Sequence, residues 1–341
     1  FIPIVVMSLP TVQRAVVVDE AGGTEVLHYR TDGIVPTPKE GQVLVKNHIS
    51  GINYIDIYFR EGLYPSPKPE ILGREAAGTI VAVGPNTDTH GLRLGDRVIW
   101  LGTAGYSEYT AVAVAKAIKL PSGISDEQAT ATFLSGLTCL ALSHEAYEVK
   151  SGDWALIHAA AGGVGFIMTQ ILKKIGAKVI GTTGGPEKVA LVKSLGADHV
   201  IDYRSVEGKN WPEIVNSITE GRGVDVVFDS VGKDTWEGSL EAVKRKGTVI
   251  WFGNASGPVP PLPFNRLSPK CVKVARPTLL GYIDTREEFE FYAQKLFNLI
   301  IRDNLKINIH KVYPLDTIQQ AHKDLEGRKT MGKLLVNISL Y

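Results

Sequence analysis

The chain has 341 residues, 44% hydrophobic and 21% charged, enough for two domains of ordinary size and unlike a disordered or low-complexity chain. Lys and Arg total 37 against 36 Asp and Glu, a balance that recommends neither nucleic acid nor an anionic membrane as the main partner. Two distant cysteines, Cys139 and Cys271, and no apolar run near the roughly 18 residues of a membrane span argue against a disulfide scaffold and a spanning helix, and favour a reducing, cytoplasmic compartment.

Residues 1–9 are apolar but lack the basic flank of a signal peptide, and are not read as one. From 12 to about 115 the pattern is β-like, with strands expected at 15–18, 42–48, 78–83 and 97–100. Turns punctuate them at 21–23, 36–38, 83–86 and 94–96. Many short strands without a helical period read as a barrel-like β domain. Ser125 and Gln128 then form a capping box for a helix running through Ala131. From Trp154 onward strand and helix alternate. Strands are expected at 178–182, 199–202, 225–229 and 248–252, and helices at 164–175, 187–195, 212–219 and 235–243. This alternation signals βαβ units and a parallel sheet. A Pro- and Gly-rich loop at 257–269 ends the series, followed by a helix at 287–302, a strand at 308–313, a helix at 317–325 and a strand at 333–337.

The stretch 154–165 reads Trp-Ala-Leu-Ile-His-Ala-Ala-Ala-Gly-Gly-Val-Gly. An apolar strand leads into a turn of tiny residues, and a helix begins at Val164 and stops at Gly176. Strand, tiny turn and helix lay a pyrophosphate on backbone N–H groups at a helix N-terminus. Residues without bulk at Ala160, Gly162, Gly163 and Gly165 let phosphate and backbone approach and let the helix pack on the strand. With Ala160 in place of the first glycine the bare motif is weak, and the βα series around it makes it a good one. An NAD site places a carboxylate about 20 residues further on, at the end of the second strand, for the ribose hydroxyls. Here residues 181–188 read Gly-Thr-Thr-Gly-Gly-Pro-Glu-Lys. Lys188, with Tyr203 at the next strand end, suits a 2′-phosphate and hence NADPH, although Lys188 also fits a solvated helix face and Glu187 argues the other way.

The first half carries Gly51-Ile-Asn-Tyr-Ile-Asp-Ile-Tyr58, then Tyr64, then Leu72-Gly-Arg-Glu-Ala-Ala-Gly78. Together with the 160–165 turn, Gly136-Leu-Thr138, Phe252-Gly-Asn-Ala-Ser256, Arg276-Pro-Thr-Leu-Leu-Gly-Tyr282 and Gly332-Lys333, these resemble the quinone oxidoreductases, the ζ-crystallin-like group of the medium-chain dehydrogenase/reductase superfamily. The resemblance runs from Ala15 to Val336. It implies a Rossmann doubly wound parallel sheet domain that binds NADPH at 132–276, plus a GroES-like β-barrel catalytic domain from 1–131 and 277–341, in a homodimer.

Carried over by position, Asn53 and Asp56 lie near the nicotinamide, and Tyr58 and Tyr64 line the substrate cleft. Thr138 approaches the cofactor, and Ala160, Gly162, Gly163, Val164 and Gly165 take the pyrophosphate. Gly184, Lys188 and Tyr203 surround the 2′-phosphate. Phe252, Gly253, Asn254 and Ser256 follow the nicotinamide half, and Lys333 reaches in from the returning C-terminal segment. The zinc-dependent members need a cysteine near position 53 and a histidine before Glu75. This chain has Asn53 and Arg74 there, so no metal is expected. His48, His144 and His158 are read as packed or solvated histidines. Without a Lewis acid, alcohol oxidation gives way to reduction of an electron-poor acceptor, a quinone or an α,β-unsaturated carbonyl. The proton comes from tyrosine or water. The alternatives are an enone or 2-alkenal reductase and, outside enzymology, an AU-rich RNA-binding or structural crystallin-like role; the neutral charge and the lack of a basic tract speak against RNA.

Overall fold

The computed structural model describes residues 9–339. The reading that the apolar start carries no signal peptide falls almost wholly on residues 1–8, outside the described residues. Two compact units emerge. The first runs to Thr130 and takes in Lys311–Lys329 and the stretch from Leu334; the second is Ala131–His310 with Thr330–Lys333.

In the first unit the 11-residue strand Gln42–Ile52 is central. Glu75–Val83 pairs along most of its length, Tyr109–Ala113 pairs its first half and Lys333–Asn337 its second, all antiparallel. Register slips at Leu44/Val45 and Asn47/Ile49 are bulges that bend it. Val43, Val45, Ile80, Val98, Trp100 and Val112 fill one face. Trp100 is wholly buried, and its Nε1–H donates to Asn47 Oδ1 at 3.0 Å, so the ring's one polar atom is satisfied. A three-stranded sheet, His28–Ile34, Val12–Val18 and Glu70–Ile71, forms a second core around Val16, Val18, Leu72, Tyr106 and Tyr313. The expectation of strands without helix is corrected at Tyr54–Arg60, a seven-residue helix held by a reciprocal capping box between Asn53 and Asp56. Seven residues are too few to show a helical period.

The second unit has a six-stranded, all-parallel sheet in the order His199–Asp202, Lys178–Thr183, Trp154–Ile157, Val224–Asp229, Val243–Trp251, Lys273–Ala275. Numbered along the chain from Trp154–Ile157 this is 3-2-1-4-5-6, the doubly wound dinucleotide-binding order. Leu156, Ile180, Val227 and Val249 are inaccessible in its centre. The helix Gly163–Ile175 buries Phe166, Met168, Ile171 and Leu172, each contributing about 1.5–3 kcal/mol, and ends on Gly176 in the left-handed conformation at φ 92°.

Three expectations shift. The helix expected through Ala131 continues to Ala141, so the unit boundary at 130/131 falls inside it. The strand Lys273–Ala275 was not anticipated beyond the Pro- and Gly-rich loop, which itself contains the short helix Phe264–Lys270. The later boundary lies at 310/311, where 276/277 was expected. The cause is the helix Arg286–Ile301: Phe289 and Phe297 set their rings 5.7 and 6.1 Å from Phe133, and Leu296 lies under Gly136. Among the described residues no helix is long and apolar enough to cross a membrane.

Candidate functional site

In the second unit the expected phosphate residues gather at the carboxyl ends of parallel strands, where open α/β sheets bind ligands. The helix Gly163–Ile175 has no side-chain cap at Gly162, and its first internal bond runs from Phe166 N–H to Gly162 O. The N–H groups of Gly163, Val164 and Gly165 therefore precede the ladder, the arrangement in which a helix N-terminus can receive an anion. A Cβ on Gly165 would stand 2.5 Å from Ala159 O and 2.6 Å from Ala160 Cα, both backbone, so only glycine lets this helix reach its strand. The chain turns through Ala159 at φ 52°, a conformation unusual for a residue with a side chain.

Ala160 has a different role from the expected one. It is inaccessible, and its N–H donates to Thr182 O at 3.0 Å, so it packs the sheet and offers no donor to a phosphate. Lys333 does arrive at the turn. Gly332 N–H donates to Ala161 O at 2.8 Å, Gly162 and Gly332 form a parallel bridge, and the buried Lys333 side chain passes close to Gly163. Ser135, which the sequence did not single out, places Oγ 3.4 Å from the position of a Gly163 Cβ. Thr138, one turn along that helix, is half-buried and donates to Leu134 O at 2.8 Å. The thiol of Cys139 is fully buried against Val164 O, and burial raises its pKa, so it is inert.

At the end of the second strand, Thr182 and Thr183 are buried and Gly184 leads to Gly185 at φ 92°. Asp202 is the nearby carboxylate, and its Oδ1 accepts from Gly185 N–H and Arg204 N–H, each at 2.9 Å, fixing the turn. A Cβ on Gly184 would meet Arg204 Nε at 2.7 Å and Tyr203 Cζ at 3.0 Å. Arg204 therefore lies beside Tyr203 over the strand end. Burial, and then repulsion from Arg204, lowers the Lys188 pKa. Two cations held together at this point form the environment that a doubly charged phosphate relieves. Arg204 was missed although it follows Tyr203 directly; a second cation one residue past the strand-end tyrosine was the available signal.

Phe252, Gly253, Asn254 and Ser256 follow the strand Val243–Trp251. A Cβ on Gly253 would lie 2.5 Å from Ser230 O, while Ser256 N–H and Oγ both donate to Val231 O at 2.9 Å. His158 is buried and bonded to Thr182 and Ser239; Ser239 in turn donates to Asp229, and burial lowers the pKa of the imidazole. It is a packed histidine.

In the first unit, Asn53 caps its helix and donates from Nδ2 to Glu75 Oε1 at 3.0 Å. Asp56 is fully buried. Its Oδ2 accepts from Asn53 N–H at 2.9 Å and from Tyr106 O–H at 3.0 Å. Its position is that of a residue which fixes Asn53. The chain of donors continues outward. Arg60 can only donate, so its contact to His322 Nδ1 at 3.2 Å leaves the proton on Nε2, which points at Tyr106 Oη 3.4 Å away. Arg60 also grips Glu326 with two bonds of 3.0 and 2.7 Å. Tyr58 is nearly buried, and Tyr64 meets it edge-on at 5.2 Å. Arg74 lays its guanidinium 3.7 Å over the Phe59 ring and bonds Glu70, a cation where a zinc site would need a neutral imidazole. Among the described residues no three His, Cys, Asp or Glu side chains gather as a metal site.

A parallel 3-2-1-4-5-6 sheet with an uncapped glycine-flanked helix, following an antiparallel β unit, defines a pyridine-nucleotide dehydrogenase of the medium-chain type. Residues 39–122 match the alcohol dehydrogenase GroES-like domain family and residues 163–297 the zinc-binding dehydrogenase family. A quinone oxidoreductase of Salmonella typhimurium is 45% identical over 322 residues, 92% of this chain and 96% of that one. The structure of the Escherichia coli quinone oxidoreductase complexed with NADPH superposes with a TM-score of 0.90 at 41% identity, covering 95% of this chain and 99% of that one. A 2-haloacrylate reductase of a Burkholderia species is 35% identical over 313 residues, 89% of this chain and 92% of that one. The chain belongs to the quinone oxidoreductase family of medium-chain dehydrogenases/reductases.

Proposed function

We propose that this protein reduces quinones with NADPH and without a metal. The observation that carries the reading is the strand end at Thr183, which has no carboxylate of its own, where Asp202 is turned to the N–H groups of Gly185 and Arg204, and where Lys188 and Arg204 come together. When bound, NADPH supplies a hydride or an electron from nicotinamide C4 to an electron-poor π-system.

The protein's own contribution is placement. The N–H groups of Gly163, Val164 and Gly165 hold the pyrophosphate, and Lys188, Arg204 and Tyr203 hold the 2′-phosphate. Gly162, Gly184 and Gly253 keep the backbone within reach, while Thr138, Phe252, Asn254, Ser256 and Lys333 line the rest of the dinucleotide. In the other unit Tyr58 and Tyr64 present ring surface to a flat acceptor and a phenolic O–H to its oxygen, and Asn53 is set by Asp56. Ala160 is a packing residue in this scheme. A homodimer belongs to the same reading, and the outer strand Lys273–Ala275, with Val274 exposed, offers an edge for it. Two free cysteines support the cytoplasm as its compartment.

A second reading, reduction of 2-alkenals or enones, is favoured by the likeness to the 2-haloacrylate reductase. Titration with NADPH and NADH, followed by an ortho-quinone and a 2-alkenal, tests both. NADPH is expected to bind at least about 100-fold more tightly than NADH, and Lys188→Ala and Arg204→Ala to cost about tenfold each in NADPH affinity alone. Equal affinity for the two dinucleotides would remove the strand-end argument, and faster turnover of the alkenal would select the second reading.

A further inference from the structure

Tyr64 stands in a segment, residues 61–69, that has neither helix nor strand. Pro65, Pro67 and Pro69 give it no backbone N–H at three positions, and Leu63, Pro65 and Pro67 are exposed. Such a segment needs side chains to hold it. They converge on one carboxylate. Glu70 Oε2 accepts from Ser66 Oγ at 2.5 Å and from Lys68 Nζ at 3.0 Å, and Oε1 accepts from Arg74 at 2.5 Å. Lys68 adds bonds to Ser66 Oγ at 3.0 Å and to Phe59 O at 3.2 Å, tying the segment to the helix Tyr54–Arg60. Arg74 lies over Phe59, whose ring meets Tyr64 edge-on at 5.6 Å and 83°. Tyr64 also donates its backbone N–H to Tyr58 O at 3.1 Å.

We infer that Glu70 is a positioning residue for the acceptor: by gathering Ser66, Lys68 and Arg74 it sets the rings of Phe59 and Tyr64 and thereby favours flat cyclic acceptors over small acyclic ones. The inference rests on the reading that Tyr58 and Tyr64 receive the acceptor. The Glu70 side chain is only 11% exposed, so its three charge-assisted bonds work where water competes poorly, and geometry is transmitted rather than absorbed. Losing the charge leaves Lys68 and Arg74 facing a weaker acceptor, and the segment carrying Tyr64 gains freedom. A flat ring needs both tyrosines at fixed spacing; an acyclic enone needs one contact.

The test is steady-state kinetics of Glu70→Gln, which keeps the shape, and Glu70→Ala, beside Tyr64→Ala, with an ortho-quinone and a 2-alkenal as acceptors. The expected result is a KM for the quinone raised about tenfold in both Glu70 variants, kcat changed less than about twofold, and KM for the alkenal and affinity for NADPH close to wild type. Arg74→Lys, which keeps the charge but loses the flat stack on Phe59, is expected to give an intermediate rise. An unchanged quinone KM in Glu70→Gln, with a raised one in Tyr64→Ala, overturns the inference. An unchanged quinone KM in Tyr64→Ala overturns the reading beneath it.

Discussion

At the glycine turn the polar work falls to the backbone, whereas around Asn53 it falls to buried side chains. The turn places Gly165 where a side chain is excluded and Gly162 where one would be tight, leaves the helix start without a side-chain cap and has no carboxylate in the first helical turn. The first unit packs Asp56 and Glu75 out of reach of solvent and ties Asp56 into Tyr106, His322, Arg60 and Glu326. One region fails when bulk is added, and the other when charge is changed. Both suit the task the proposed function gives them, since a pyrophosphate brings its own charge and wants donors, while an aromatic acceptor brings little charge and wants fixed surfaces.

The strongest way to break the contrast is to put bulk into the turn. Gly165→Val meets backbone atoms of Ala159 and Ala160 that cannot swing aside. It is expected to cost about 3 kcal/mol of stability and more than about 100-fold in NADPH affinity, read by denaturant unfolding and fluorescence titration. Next comes charge removal from the other region. Arg60→Met takes the guanidinium, 1% exposed, from Glu326, His322 and Gly22 O, and is expected to cost about 3 kcal/mol of unfolding free energy, read by urea denaturation, with NADPH affinity intact. If it weakened NADPH binding as much as Gly165→Val does, the division of labour would be wrong.

The last effect is the smallest at neutral pH and grows as the solution is acidified. Burial, with repulsion from Arg60, lowers the His322 pKa to about 3. Between that value and the ordinary value of about 6.5, the unfolded chain binds a proton that the folded chain refuses. Stability is therefore fully present above about pH 6.5 and falls with pH below it, by up to about 1.4 kcal/mol per pH unit from this group. His322→Gln is expected to flatten that limb in urea unfolding at pH 4 to 7, leaving the contributions of His144 and His158, whose pKa values burial also lowers. A limb as steep as in the wild type would mean that His322 is already protonated in the fold.

How much of this was legible differs between the two regions for the same reason. The parallel strands are buried on both faces and spell near-continuous apolar runs, and helices of ordinary length separate them, so the parallel sheet followed from spacing, while its doubly wound form came from the family resemblance. The helix Tyr54–Arg60 has only seven residues, and its cap is built from Asn53 and Asp56, residue types that also suit chemistry. The sequence could not reveal which of them is buried. Ala160 shows the same ambiguity, since a small residue serves close packing as well as close approach. Arg204 became visible only when the chain brought it over Gly184 and beside Lys188. The packing of Arg286–Ile301 on Phe133 depends on a contact more than 150 residues apart in sequence, beyond what periodicity reports.

The bridge between Gly162 and Gly332 bears on the order in which the protein is made. The turn at 159–165 is synthesised long before its partners, since Ala161 O and Asn308 O receive their hydrogen bonds from Gly332 and Lys333. A ribosome-bound chain can form all six parallel strands while residues 330–333 are still inside the exit tunnel. The turn is thus completed only after the sheet, and a nascent chain stalled short of residue 330 would carry a folded sheet whose Ala161 carbonyl still awaits Gly332.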